Sequence, residues 1–453
     1  MGTNLKSISS QYFASQTDAS SLAFFRICFG LLMCISMVRF WYLGWIEKLY
    51  LTPKFHFKYQ WMDWVVVPGE WTYLLFIVCG FTALMVAIGY KYHVAIVLFF
   101  LSFTYIELMD KTTYLNHYYL VSLLSFLLLL LPANCMFSVD AAMDERVRFT
   151  QIPSWMIDSL KVMVAIVYIS AGLAKLNPDW ILKAMPLALW LQSKTDIPVI
   201  GQLMHHTWLH YVFSWGGALY DLCIIPLLLF ARTRMIAFVA VVVFHVLTKV
   251  LFPIGMFPYI MIVATLLFFR PQFHRRILEW VSDILGLRIA PWRNHKPYIS
   301  SRYTTFVKGI FTVFLFVQIV FPLRSIFLTD NVYWTERGYR FSWRVMLMEK
   351  TGQADFKIVN TETGKRFYVD NADFLTAFQQ KQMSTQPDFI LEYGHYLGNH
   401  FTSQGHENIG VFVDSYVALN GRRSQQYIDP NVDLMSIHYT ELIENHILSL
   451  LEK

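Results

Sequence analysis

Long apolar runs broken by short polar stretches fill the first 328 positions, and the pattern then changes. A helix needs about 17–25 apolar residues to cross a bilayer. Runs approaching that length fall near 22–42, 71–89, 92–108, 117–135, 159–176, 209–230, 235–252, 254–270 and 306–328. The runs 235–252 and 254–270 are close enough to read as a helical hairpin or a re-entrant segment, so about eight or nine crossings are expected. From 329 onward the pattern is that of a small α/β unit. DFKIV-NTETG-KRFYV (355–369) reads as a hairpin with polar turn residues. VFVDSYVAL-NG-RRSQQYI (411–428) reads as a second, its Asn420-Gly421 favouring a type I′ turn. DFLTAFQQKQM (373–383) reads as a helix, and TELIENHILSLLEK (440–453) as a terminal one. The expected architecture is an α-helical polytopic membrane protein: a transmembrane domain over 1–328, then a small extracytoplasmic α/β domain over 329–453.

Composition excludes an ordinary soluble domain. Hydrophobic residues make up 56% and charged residues 15% of the chain, with a mean hydropathy of +0.42. The net charge of +6 is concentrated: Arg270, Arg275, Arg276, Arg288, Arg293, Lys296, Arg302 and Lys308 crowd the segment before the last run. That is a positive-inside signal and not a nucleic-acid footprint. Placing this segment in the cytoplasm puts the N-terminus there too. The loops 43–70, 109–116 and 177–208 and the C-terminal domain then face outward. No cleavable signal peptide is visible ahead of the first run. Cys28, Cys34, Cys79, Cys135 and Cys223 have neither metal-site nor redox spacing, and none falls in the C-terminal domain.

This topology gathers unusual polar groups in one leaflet. Asn116 and His117 open the fourth run, Lys175 closes the fifth, and His245 lies in the seventh. An amine in a low-dielectric setting is disfavoured as ammonium and becomes usable as a base. Equally, Asn177-Pro178 stops the helix just after Lys175, which would let the side chain snorkel to the interface. Asn116 reads as a ligand or as an N-cap, and His245 as functional or as bonded to a carbonyl. Tyr168, Gly172 and Lys175 share a helix face, and Ala171 and Gly172 would let a flat ligand approach the backbone. Asp221 reads as a structural partner for a basic group or as a proton relay. No nucleotide-binding loop, zinc-protease motif or nucleophile elbow appears in a fitting context.

DKTTYLNHYYL (110–120), AGLAKLNPDW (171–180), FHVLTKVLFPIGMFPYIM (244–261), YRFSWRVML (339–347) and YIDPNVDL (427–434) together resemble the vitamin K-dependent gamma-glutamyl carboxylase family. The likeness spans about residues 20–435 and suggests a bacterial homologue in an inner membrane. It implies a lyase with coupled quinol epoxidation. A lysine deprotonates reduced vitamin K (phylloquinol or menaquinol), oxygen adds, and the strong base so formed removes a glutamate γ-proton. The quinone epoxide leaves, and carbon dioxide traps the carbanion. Carried over by motif, Lys175 is the base. Asn116, His117, His245, Phe257 and Met261 hold the quinol. Tyr339, Ser342 and Trp343 contact the glutamate substrate. The implied partners are the lipid-soluble quinol, a glutamate-containing peptide or exported protein, and the bilayer; no metal and no nucleic acid is implied.

The chain departs from the animal enzymes where it has Met348 in place of a histidine. It also lacks their lumenal disulfide and ends soon after YIDPNVDL. Two alternatives therefore stand beside glutamate carboxylation. One is a quinol epoxidase or oxygenase without peptide carboxylation; the other is a quinone-binding transport protein using the same polar groups as a pathway. No internal repeat of the transporter kind is visible.

Overall fold

The computed structural model describes residues 11–198, 200–286, 297–298, 302–328 and 330–451. Each apolar run folds as a helix: α1 (Ser20–Tyr42), α2 (Trp71–Ile88), α3 (Tyr92–Leu108), α4 (Asn116–Leu129), α5 (Ser154–Ala174), α6 (Thr207–Leu229), α7 (Arg234–Leu251), α8 (Phe257–Leu266) and, after an intervening helix α9 (Pro271–Ile284), α10 (Arg302–Leu323). Among the described residues, six of these are long and apolar enough to cross a membrane: α1, α2, α5, α6, α7 and α10 with the turn that follows it. The chain is therefore an integral membrane protein. α3, α4 and α8 are shorter, at 17, 14 and 10 residues. α4 stops at Leu129 just before Pro132, and α8 is bounded by Pro258 in its first turn and by Pro271 beyond its end. The expected run 117–135 thus shortens, and 254–270 becomes a short helix packed on α7.

α1 packs on α2, α2 on α3, α3 on α4, α5 on α6, and α10 on α5. Small residues permit the close approaches. A Cβ on Gly30 of α1 would come within 2.6 Å of backbone atoms of Ala83 and Ala87 on α2. Arg26, wholly buried in α1, donates to the carbonyls of Ala133, Met136, Ala87 and Phe137. It thereby ties the end of α2 to the loop after α4, its two terminal nitrogens bonded inside the membrane and its Nε left without a partner.

α9 occupies the basic segment that the sequence pattern left as a loop. Its His274, Leu278 and Ser282 are buried, and it packs on α1. Phe273, Trp280 and Ile284 face outward, as on a helix lying in the membrane interface. Arg288, Arg293 and Lys296 lie outside the described residues. Two short strands, β1 (Gln16–Asp18) and β2 (Gln151–Pro153), pair antiparallel beside it.

Toward the C-terminus, β3 (Lys350–Asn360), β4 (Arg366–Tyr368), β5 (Ile409–Leu419) and β6 (Gln425–Gln426) form an antiparallel sheet in the order β4-β3-β5-β6. β3 and β5 pair along their full length, from Lys350↔Leu419 to Asn360↔Ile409. Both expected hairpins are present. Asn420 and Gly421 take φ of 50° and 78°, and Arg422 N–H closes the turn on the Leu419 carbonyl at 3.0 Å. The helix expected over 373–383 shortens to α11 (Ala377–Met383), started by a capping box of Thr376 and Gln379. A further helix, α12 (Pro387–Ser403), covers one face of the sheet, burying Phe389, Ile390, Tyr393 and Leu397.

The expected terminal helix over 440–453 is overturned. Among the described residues of this stretch only Tyr439–His446 is helical, in two short turns. Beyond it the chain runs extended: Ile447 bridges Ile428, and Leu448 N–H donates to Tyr427 O at 2.9 Å. Pairing with the strand edge satisfies backbone groups that a lone helical turn would leave open. The buried apolar residues form two clusters, one among the helices and one under the sheet. The second reaches down to Trp180, Leu187, Leu191 and Leu251.

Candidate active site

Lys175 is the residue at which α5 ends. Asn177 caps the next short helix, Pro178–Lys183, by accepting from Trp180 N–H at 3.0 Å. The Trp180 indole N–H then donates to Ser214 O on α6 at 2.7 Å. Gly172 lets α6 approach: a Cβ there would lie 2.8 Å from Leu222. That corrects the expectation of a ligand beside this glycine, because Leu222 takes the space. The consequence is electrostatic. The close crossing sets Asp221 of α6 against Lys175, and their ammonium and carboxylate groups hydrogen bond directly. Both residues are buried, so the amine is inside the protein and paired, and does not snorkel to the surface. The Trp180 ring also lies 5.6 Å from Nζ.

This pair forms part of the wall of a cavity of ≈ 100 Å³ among α5, α6, α7 and α8. His245 of α7 is on the same wall, with Nε2 2.8 Å from the Tyr168 hydroxyl of α5. Its Nδ1 is buried without a partner. Phe244, Phe252, Phe257, Met261, Trp190 and Ala171 supply apolar surface. Val345 and Met346 close it from the C-terminal region.

The structure therefore brings Lys175, His245, Phe257 and Met261 together around one space. His117 and Asn116 stand outside its lining. The His117 ring lies behind Phe257, with centroids 6.1 Å apart. Its Nε2 is buried, unpartnered and close to the Gly255 turn. Asn116 is the first residue of α4 and makes no cap there. Its side chain accepts from the Tyr114 hydroxyl at 3.1 Å and donates to Arg344 O at 3.4 Å. The N-cap alternative for Asn116 is thereby replaced by a bridge to the C-terminal region.

Of the substrate-contact candidates, Trp343 is 0% exposed and stacks on Tyr119 at 5.1 Å. Ser342 Oγ donates to Gly338 O and accepts from Arg324 at 3.1 Å. Tyr339 packs edge-on to Tyr333 at 6.4 Å. None of the three lines the Lys175 cavity, and their neighbours Gly338, Arg340 and Phe341 line a second one instead. That second cavity, ≈ 790 Å³, is polar and lies between the 58–63 loop, Lys111 and α12. Lys111 bonds both Asp388 and Glu392, and Arg340 also bonds Asp388. Segment 338–346 thus runs from the polar cavity to the apolar one.

Sequence reasoning missed Trp180, Trp190, Val345, Met346 and the Lys111–Asp388–Arg340 cluster. Single positions gave no signal of these; only the fold joins them. Among the described residues no group of side chains could hold a metal ion.

The HTTM domain family profile matches residues 14–273, more than half of the chain. The profile of the vitamin K-dependent gamma-carboxylase lumenal domain matches residues 303–453, beginning within α10 and covering the sheet. No solved structure matches the chain. The two profiles fall in sequence on the helical part and on the part that closes the cavity with Val345 and Met346, and by them the chain belongs to the vitamin K-dependent gamma-carboxylase family.

Proposed function

We propose that this protein is a quinol-dependent glutamyl carboxylase with coupled quinol epoxidation. On this reading 1–328 is a transmembrane domain with a cytoplasmic N-terminus, and 329–453 is an extracytoplasmic α/β domain. The observation that carries the reading is the Lys175–Asp221 pair on the wall of an apolar cavity. The lining suits a flat ring, with Phe244, Phe252, Phe257 and Met261 presenting apolar faces beside the few polar groups. The unpartnered His245 Nδ1 offers such a ring a hydrogen bond. When bound, the quinol supplies with oxygen the strong base that removes a glutamate γ-proton before carbon dioxide adds.

The side chains then have distinct tasks. Lys175 Nζ takes the quinol hydroxyl proton once its own proton has passed to Asp221 Oδ2. That transfer leaves the pair with zero net charge, so the dry site tolerates both arrangements. Tyr168 fixes the His245 ring through Nε2, leaving Nδ1 for a quinol oxygen. Phe257 and Met261 hold the ring. His117 stands behind Phe257 as a donor for a ring that pushes Phe257 aside, and Asn116 orients Tyr114 and the Arg344 backbone beside it. Apolar walls exclude water that would quench the strong base. A peptide glutamate reaches the ring along segment 338–346, from a cavity in which Lys58, Lys111, Arg324 and Arg340 stand among Asp63, Glu336, Asp388 and Glu392. Tyr339, Ser342 and Trp343 shape that segment from within.

Met348, where the animal enzymes carry a histidine, favours the second reading, quinol epoxidation without peptide carboxylation. One assay separates the two. Purified protein receives reduced vitamin K, oxygen, labelled bicarbonate and a glutamate peptide, and epoxide and fixed label are measured together. Both products are expected. Epoxide alone selects the second reading, and neither product overturns both.

A further inference from the structure

A third cavity, ≈ 370 Å³, opens between α3, α4 and α10. Its lower walls are Phe100, Phe126 and Phe314, and its upper walls are Tyr59, Tyr114, Tyr119 and Phe341. Glu107, one residue from the end of α3, faces this space. Among the described residues no hydrogen-bond or ion-pair partner reaches its carboxylate. A carboxylate within one turn of a membrane helix end, left without a partner, marks a binding function by default.

The chemistry of the walls identifies the ligand. Tyr114 donates its hydroxyl proton to Asn116 Oδ1 at 3.1 Å, Tyr119 to Gln318 Oε1 at 2.9 Å, and Thr104 to Ser122 at 3.2 Å. The cavity therefore presents aromatic rings and a carboxylate acceptor, with these three donors committed elsewhere and, among the described residues, the Tyr59 and Ser122 hydroxyls without an acceptor. Rings around a carboxylate suit a cation, which gains from both the ion pair and the ring quadrupoles. The depth fits as well. Tyr105, on the same turn as Glu107, donates to Val66 O at 2.8 Å and lies against Trp64. Trp61 and Trp64 of the same loop and Trp71 at the start of α2 are exposed. Such a belt sits at the headgroup level of a bilayer, and Phe100, Phe126 and Phe314 continue inward as a bed for a hydrocarbon tail.

We propose that this groove binds an amphiphile with a primary ammonium head, as in a phosphatidylethanolamine. The ammonium rests on Glu107 between the tyrosines, and the tail lies along the phenylalanines. The site is distinct from the Lys175 cavity but touches it indirectly. Phe341 packs edge-on against Tyr114 and Tyr119 at 4.9 Å, and Tyr119 stacks on Trp343. A bound headgroup would hold this aromatic column in place.

The test uses the full-length protein in nanodiscs of phosphatidylcholine containing equal small fractions of phosphatidylethanolamine and phosphatidylglycerol, with retained lipids read by native mass spectrometry. Retention of phosphatidylethanolamine should exceed that of the other two by roughly tenfold, the worth of one charged hydrogen bond in a desolvated site. Glu107→Gln keeps the side-chain size and should abolish the preference, while epoxide formation in detergent stays unchanged. Equal retention of all three lipids overturns the proposal. So does a preference that survives Glu107→Gln. If added quinone displaces the retained lipid one for one, the groove is instead a quinone site and the proposal is wrong.

Discussion

At the scale of single residues, the pairing of Lys175 with Asp221 governs what a mutation will reveal. Replacing one partner of a buried ion pair strands the other charge and costs about 3–5 kcal/mol. Lys175→Ala should therefore abolish epoxide formation and also lower the melting temperature. Lys175→Ala/Asp221→Ala should regain most of the lost stability but none of the activity. The check is a double-mutant cycle in thermal unfolding, read beside epoxide yield. If the single variant keeps substantial epoxidase activity, Lys175 is not the base. Trp343 makes a second case. It is buried and stacked, so Trp343→Ala removes interior volume at a cost of about 3–5 kcal/mol. Equal loss of epoxide and fixed label in this variant would show that Trp343 acts by packing. Loss of fixed label alone, with unchanged epoxide, would show that it serves the peptide.

At the scale of elements, the turn that follows Lys175 is clamped from the C-terminal sheet. Asp179 accepts from Arg422 at 2.7 Å on both oxygens and from Asn420 at 2.9 Å. Nearby, Tyr333 donates to Ala174 O at 2.9 Å, just ahead of the lysine. Burial alone would raise the Asp179 carboxyl, but Arg422 and Asn420 outweigh it and hold it below the usual carboxylate range. A depressed carboxyl stabilises fully above its unfolded value of about 3.9, and less as pH falls through its folded value. Arg422→Ala should thus cost about 2 kcal/mol near neutral pH. That deficit should shrink below about pH 4 in pH-dependent melting. The helices themselves were legible in the chain, because each apolar run folds as a helix, although α3, α4 and α8 stop short of the length that the other six reach. The Asn420-Gly421 turn was legible for a similar reason, since its backbone needs left-handed φ at both positions. The 447–451 segment was not, because its helical composition yields to a strand edge that only the fold provides. Asp221 was readable as a partner for some cation. Which cation it meets depends on Gly172 admitting Leu222, a fact of packing and not of spacing.

At the scale of the whole molecule, charge fastens the C-terminal sheet region to the helices. Lys111, in the turn before α4, meets Asp388 at 2.9 Å and Glu392 at 2.7 Å on α12, while Arg340 meets Asp388 at 2.8 Å. The two carboxylates respond to this setting in opposite directions. Burial acts to raise both. At Asp388 the two flanking cations win and hold the carboxyl far below its ordinary value. At Glu392 burial wins over Lys111, and the carboxyl is raised. The linkage signs follow. Asp388 contributes stability that is complete above about pH 4 and is lost as pH falls through its depressed value. Glu392 binds its proton more tightly in the folded protein, so its contribution favours folding as pH falls and opposes it near neutrality. Asp388→Asn should therefore cost about 3 kcal/mol at pH 7, leaving Lys111 and Arg340 with one carboxylate fewer. Glu392→Gln at the same pH should leave stability unchanged or raise it. Thermal unfolding of both variants at pH 7 decides the matter. Equal losses would mean that the cluster acts as one undivided network and that the opposite shifts carry no separate weight. An asymmetric result would identify Asp388 as the residue that seats the sheet region over the helices, and with it Val345 and Met346 over the Lys175 cavity.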